Sequence, residues 1–132
     1  MITISKKVEY SLVFISYLAR NGQKMISLTE AAKKLNLPYR FLGQLAMDLK
    51  KSGIVSSKEG KTGGYVLESG WKDKSFYDLM ESLGENKHMV GCLGDNACTR
   101  IKECEMRNIW SKLEITLTTE LKKIKLGETE NN

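Results

Sequence analysis

A mainly α-helical fold with a small β-wing, namely a winged helix-turn-helix plus a long C-terminal dimerisation helix, is predicted by three features of this 132-residue chain. Apolar residues recur at helical spacing in three short segments before Ser52. Two short β-type runs then bracket a glycine-rich tip, and a longer helical stripe runs through the final quarter of the chain.

The first helix is read from Val8, Leu12, Ile15 and Ala19, widened by Phe14 and Leu18 and stopped by Asn21-Gly22. Ser27-Leu28-Thr29-Glu30 fits a capping box that opens a second helix burying Ala31, Ala32 and Leu35. Asn36-Leu37-Pro38 breaks the chain and restarts it, with proline suited to the first turn of a third helix that buries Phe41, Leu42, Leu45 and Leu49. Lys50-Lys51-Ser52-Gly53 closes that helix with cations at its negative end and a glycine cap. Ile54-Val55 and Tyr65-Val66-Leu67 then read as strands around the hairpin tip Lys58 to Gly64. Residues 1–70 are thus expected to form the winged helix-turn-helix domain.

Trp71 to Ser75 reads as a connector, and Phe76, Leu79, Met80 and Leu83 lie on one face of a short fourth helix closed by Gly84. Residues 71–103 form this connector helix and a cysteine-bearing loop. Residues 104–127 form the long helix, with Trp110, Leu113, Leu117, Leu121 and Ile124 in one stripe, and residues 128–132 read as a disordered tail. A stripe of that length exceeds what the rest of the chain can cover, so a homodimer through the C-terminal helix is expected.

Composition narrows the function. With 28% charged and 41% hydrophobic residues the chain is ordinary globular material rather than a disordered one. It contains no run of apolar residues long enough for a bilayer and no secretory start pattern, so a cytoplasmic location without membrane association is expected. Between Lys33 and Lys61 seven cations face two acids, a surplus of five that equals the whole chain's net charge of +5. Clustered cations gain by displacing counterions from a polyanion, a merely solvated basic face being the other reading; the order of helices and the wing taken with this charge favour double-stranded DNA as the partner.

In a helix-turn-helix the second helix of the pair enters the major groove, led by residues near its start. Tyr39, Arg40, Gly43 and Gln44 occupy the face opposite the core positions. Arg40 is suited to guanine or phosphate and Gln44 to adenine, while Gly43 leaves room. Lys50 ends the same helix. On the wing, Lys58 and Lys61 reach toward phosphate or the minor groove, with Gly63 allowing close backbone approach.

All three cysteines, Cys92, Cys98 and Cys104, fall within thirteen residues at C-x5-C-x5-C spacing. An odd number in a reducing compartment argues against a structural disulfide, and five-residue gaps do not match the tight knuckles of structural zinc sites. Three thiolates at wider spacing suit an iron-sulfur cluster; scattered inert thiols, a thiol switch or an atypical zinc site are the other readings. An enzyme with a cysteine nucleophile is not expected, because no acid is placed to orient His88, the single histidine.

The chain from Met1 to about Gly127 resembles the Rrf2 family of winged-helix regulators, on Phe41-Leu42-Gly43-Gln44-Leu45, Lys50-Lys51-Ser52-Gly53-Ile54-Val55, Gly63-Gly64-Tyr65 and the three cysteines. The resemblance implies a homodimeric regulator, in the main a repressor, on a palindromic-type operator, with an iron-sulfur cluster held by Cys92, Cys98 and Cys104. In one branch a histidine three residues past the last cysteine completes a 2Fe-2S site; here that position is Arg107, which cannot shed its proton to bind metal. In another branch an acid on the first helix of the partner subunit completes a 4Fe-4S site, and Glu9 stands at the matching place. The resemblance therefore favours 4Fe-4S with Glu9 as fourth ligand over 2Fe-2S, with His88 a weaker candidate; Glu9 equally suits the positive end of its own helix. Glu59 departs from the arginine common at that wing position and would repel phosphate.

Overall fold

The computed structural model of the protein describes residues 4–85 and 105–130. Small polar residues set where its helices begin. α1 (Lys6–Arg20) is capped by Ser5, whose Oγ accepts the Val8 amide at 3.3 Å, and α2 (Leu28–Leu35) by Ser27, whose Oγ accepts the Glu30 amide at 3.1 Å. At Ser27 only this half of the expected capping box is among the bonds of the described residues. The full reciprocal box closes at Ser75, which starts α4 (Phe76–Ser82): Ser75 Oγ accepts from the Asp78 amide at 3.0 Å and Asp78 Oδ2 accepts from the Ser75 amide at 2.9 Å. An aspartate, one methylene shorter than the expected glutamate, hid this box from the motif.

Asn36 ends α2 in the left-handed region at φ 55°. Pro38 stands just outside α3 (Tyr39–Lys51) rather than in its first turn: its extended ψ of 133° makes it the N-cap, and its carbonyl accepts the Leu42 amide at 3.0 Å. After Ser52 and Gly53 the chain enters β1 (Val55–Lys58), which pairs antiparallel with β2 (Gly64–Leu67) from Val55↔Leu67 to Lys58↔Gly64. Ile54, expected in the strand, precedes it and is wholly buried. Ile26, ahead of α2, adds a single rung on the other edge of β2: its amide donates to the Tyr65 carbonyl at 3.0 Å, and the Tyr65 amide returns a bond at 2.8 Å. That rung requires glycine beside it. Gly64 has φ 148°, and a Cβ there would run into the Ile26 carbonyl and lie 2.9 Å from the Ser27 nitrogen.

One apolar core joins these elements. Phe14, Ile15 and Leu18 of α1 meet Leu42, Leu45, Ala46 and Leu49 of α3, with Ala31, Ile26, Ile54 and Val55 between them. Leu35 and Phe41, expected inside, are half-buried at its margin. Trp71, in a 3-10 turn over Trp71–Asp73, is buried rather than merely connecting, and Leu79 and Leu83 extend the core beneath it.

α5 (Arg107–Lys123) buries none of its residues within the chain. It stops short of the expected end at residue 127 because Lys125 forms a bridge with Ser75: the Phe76 amide donates to the Ile124 carbonyl and the Leu126 amide to the Lys74 carbonyl, both at 2.8 Å. Leu126 is thereby driven into the core at 2% exposure. Residues 128–130, expected in a loose tail, belong to a 3-10 turn over Leu126–Glu130. The reason is tertiary, since Leu126 anchors a stretch that has no helical pattern of its own.

Candidate nucleic-acid interface

α3 faces outward because its other side is fully used. Leu42, Leu45, Ala46 and Leu49 lie in the core, and Phe41 meets Tyr10 of α1 edge-on, with ring centroids 5.6 Å apart and planes at 87°. This leaves Tyr39, Arg40, Gln44, Met47, Lys50 and Lys51 exposed together. Three of the expected residues, Tyr39, Arg40 and Gln44, stand where the helix starts, and Lys50 stands two to three turns further along the same side.

Gly43 is the exception. It is half-buried, and a Cβ at that position would come within 3.2 Å of Leu28 Cδ2 on α2. It packs against Leu28 of α2, so the missing side chain serves helix packing before it serves a ligand.

The wing carries Lys58, Glu59, Gly60 and Lys61 exposed at its tip. A Cβ on Gly63 would collide with the Lys58 carbonyl, so this hairpin closes only with glycine there, and the Gly63 amide donates to the Gly60 carbonyl at 3.1 Å. Phe14 and Tyr65, edge-to-face at 6.2 Å, fix the wing's base against α1. Arg40, Lys50, Lys51, Lys58 and Lys61 form no ion pair among the described residues, so no described acid neutralises their charge. A strip of cations on one helix face and an adjacent hairpin is the electrostatic form that a phosphate backbone recognises.

Met47 and Lys51 were not assigned to this face by the sequence. Their spacing carried the signal: Met47 lies three residues after Gln44 and seven after Arg40, and Lys51 four after Met47.

Cys92, Cys98, Cys104 and His88 lie outside the described residues. Among the described residues no group of three His, Cys, Asp or Glu side chains gathers to hold a metal ion. Glu9 projects from the first turn of α1 with its side chain 53% exposed, paired to Lys6 at 3.2 Å. The hydrogen bond and negative charge of Glu9 hold the Lys6 ammonium pKa above its ordinary value. Both groups are solvated, so the pair holds Glu9 only loosely. Arg107 is exposed at the start of α5.

Ser5 Oγ donates to Glu85 Oε1 at 2.6 Å, and Lys7 Nζ donates to the Leu83 carbonyl at 3.3 Å. The first turn of α1 is thus tied to the chain just ahead of residues 86–104. None of the described helices is long and apolar enough to cross a membrane.

A family model, Rrf2, described as iron-dependent transcriptional regulator, matches residues 4–130. Among similar proteins is the HTH-type transcriptional regulator IscR of Escherichia coli, 27% identical over 130 residues that span 98% of this chain and 80% of that one. Among solved structures, CymR, the global cysteine regulator of B. subtilis, is 28% identical with a TM-score of 0.73, covering 100% of this chain and 99% of its own. The oxidized form of Staphylococcus aureus CymR is 26% identical with a TM-score of 0.66, covering 96% of this chain and 94% of its own.

Proposed function

The chain belongs to the Rrf2 family and is a DNA-binding transcriptional regulator rather than an enzyme; from that premise we propose that it is a homodimeric repressor whose hold on its operator is governed by an iron-sulfur cluster. The observation that carries the DNA half of this reading is the exposed, cationic outward face of α3 beside the cationic wing. Arg40 and Gln44 are the base-reading residues, Tyr39 supports them, Gly43 lets α3 sit close on α2, and Lys50, Lys58 and Lys61 contact phosphate with Gly63 shaping the wing.

α5 supports the dimer. Ile109 and Leu113 are exposed and Trp110, Leu117 and Leu121 half-covered on one side of a helix that buries nothing within the chain. Pairing of two such helices about a two-fold axis presents two copies of α3 to a palindromic-type operator.

Cys92, Cys98 and Cys104 would hold the cluster, with the partner's Glu9 as fourth ligand to a 4Fe-4S form. The donor set fits: three soft thiolates suit cluster iron, and Glu9 is a solvated carboxylate free to turn outward from its weak pair with Lys6. A cluster there would supply a centre reactive toward oxygen, nitric oxide or iron supply. The chain's own residues relay its state. Ser5 caps α1 and also holds Glu85, so a displacement of Glu85 would be felt by α1, and Tyr10 against Phe41 links α1 to α3.

The likeness to the CymR proteins, one a global cysteine regulator and one crystallised in an oxidized form, favours a second reading in which the cysteines act without a cluster, as a thiol switch or zinc site. Anaerobic purification separates the two. Coloured protein containing iron and sulfide, whose operator affinity changes on cluster loss, supports the first; colourless protein whose affinity follows thiol oxidation or zinc supports the second.

A further inference from the structure

We propose that Met47 is a specificity-determining residue that packs its thioether chain against the 5-methyl group of an operator thymine. This rests on the reading that the outward face of α3 enters the major groove.

Met47 is 50% exposed, although the core needs nothing from it: Leu45, Ala46 and Leu49 on either side in sequence are all buried and complete that side of the helix. Its neighbours on the outward face are Arg40 one helical stretch before it, Gln44 one turn before it, and Lys50 and Lys51 one turn after it. A large apolar side chain in the middle of a polar, cationic face gains free energy only when something apolar covers it. The surrounding charge selects a polyanion as the covering surface, which disfavours an apolar protein partner.

On the floor of the major groove a base pair offers hydrogen-bonding edges and one apolar group, the thymine methyl. Methionine suits this contact because its chain is unbranched, flexible and polarisable, so it can reach across one turn and adapt to the methyl's position. Gln44 is suited to adenine, whose pairing partner carries the methyl, so the thymine is placed at the pair read by Gln44 or one step from it.

The test starts from duplexes enriched by the full-length chain from a random-sequence library. Each thymine is replaced in turn by deoxyuridine, which removes only the methyl group, and binding is measured for wild type, Met47→Ala and Met47→Leu. One replacement in each half-site is expected to weaken wild-type binding about fourfold, the factor given by burial of one methyl-sized group. At that position Met47→Ala should bind the two duplexes equally, whereas Met47→Leu keeps most of the difference. Alanine favours helix and residue 47 is solvent-facing, so identical circular dichroism spectra are expected for all three proteins. Deoxyuridine profiles that are flat, or the same in wild type and Met47→Ala, overturn the assignment. Arg40→Ala and Gln44→Ala on the same duplexes separate its failure from that of the reading beneath it: if these two lose binding while the methyl scan is flat, α3 reads bases without Met47. If they too are silent, the whole face has been misplaced and Met47 with it.

Discussion

Replacing Gly64 by alanine is expected to damage the protein out of proportion to one methyl group. The added Cβ meets backbone rather than a flexible side chain: it runs into the Ile26 carbonyl and sits 2.9 Å from the Ser27 nitrogen. Two adjustments are open, and both are unfavourable. Keeping φ near 148° leaves an L side chain in a region it rarely adopts, at about 1–3 kcal/mol. Moving β2 away from Ile26 stretches the two bonds between Ile26 and Tyr65, 3.0 and 2.8 Å long, each worth about 0.5–1.5 kcal/mol net. If both occur the loss is about 2–6 kcal/mol, against a total stability of about 5–15 kcal/mol for an ordinary domain. Gly70→Ala is the control, because nothing lies within 4 Å of a Cβ there and its φ is −95°; its effect should stay within about 1 kcal/mol in either direction. Urea unfolding followed by circular dichroism reads the difference as a fall in midpoint at constant slope. A Gly64→Ala loss below about 1 kcal/mol, or one equal to the control's, would show that the Ile26 rung does not hold the wing as described.

Three further outcomes follow from the same geometry. Arg40→Ala and Gln44→Ala should each weaken specific duplex binding by about 1–3 kcal/mol while leaving binding to random DNA nearly unchanged, as read by fluorescence anisotropy against both duplexes. Lys58→Ala and Lys61→Ala should act evenly on all sequences, each lowering the slope of log affinity against log salt by about 1; an unchanged slope would remove the wing tip from the phosphate contacts. Leu113→Glu, on the exposed side of α5, should shift the chain toward monomer in sedimentation velocity with little change in helix content, whereas an undisturbed dimer would put the subunit contact on another surface.

Local chemistry made much of the fold legible before any coordinates. Ser27, Asn36 with Pro38, and the glycines around the hairpin mark boundaries through bonds that reach only a few residues, and the 3.6-residue period of Phe14, Leu18, Leu42, Leu45 and Leu49 marks which face turns inward. The same period put Arg40 and Gln44 outward with Lys50, because whatever opposes the core on a helix meets solvent or a ligand.

Period alone could not say what lies against a face. By period Gly43 falls within the outward arc, and only the approach of Leu28 decides that it belongs to the packing of α2 on α3. Leu126 follows a helix that has already ended, and its burial depends on a bridge to Ser75, fifty residues earlier in the chain. Ile26 becomes a strand partner for the same reason, through Tyr65. Sequence by itself determined most of the elements, their order and the cationic outward face of the third helix, because those follow from interactions within a turn or two. The tertiary structure decided the Ile26 rung beside the wing, the anchoring of the C-terminal segment and the link from Ser5 to Glu85, because each joins residues whose separation along the chain leaves no periodic trace.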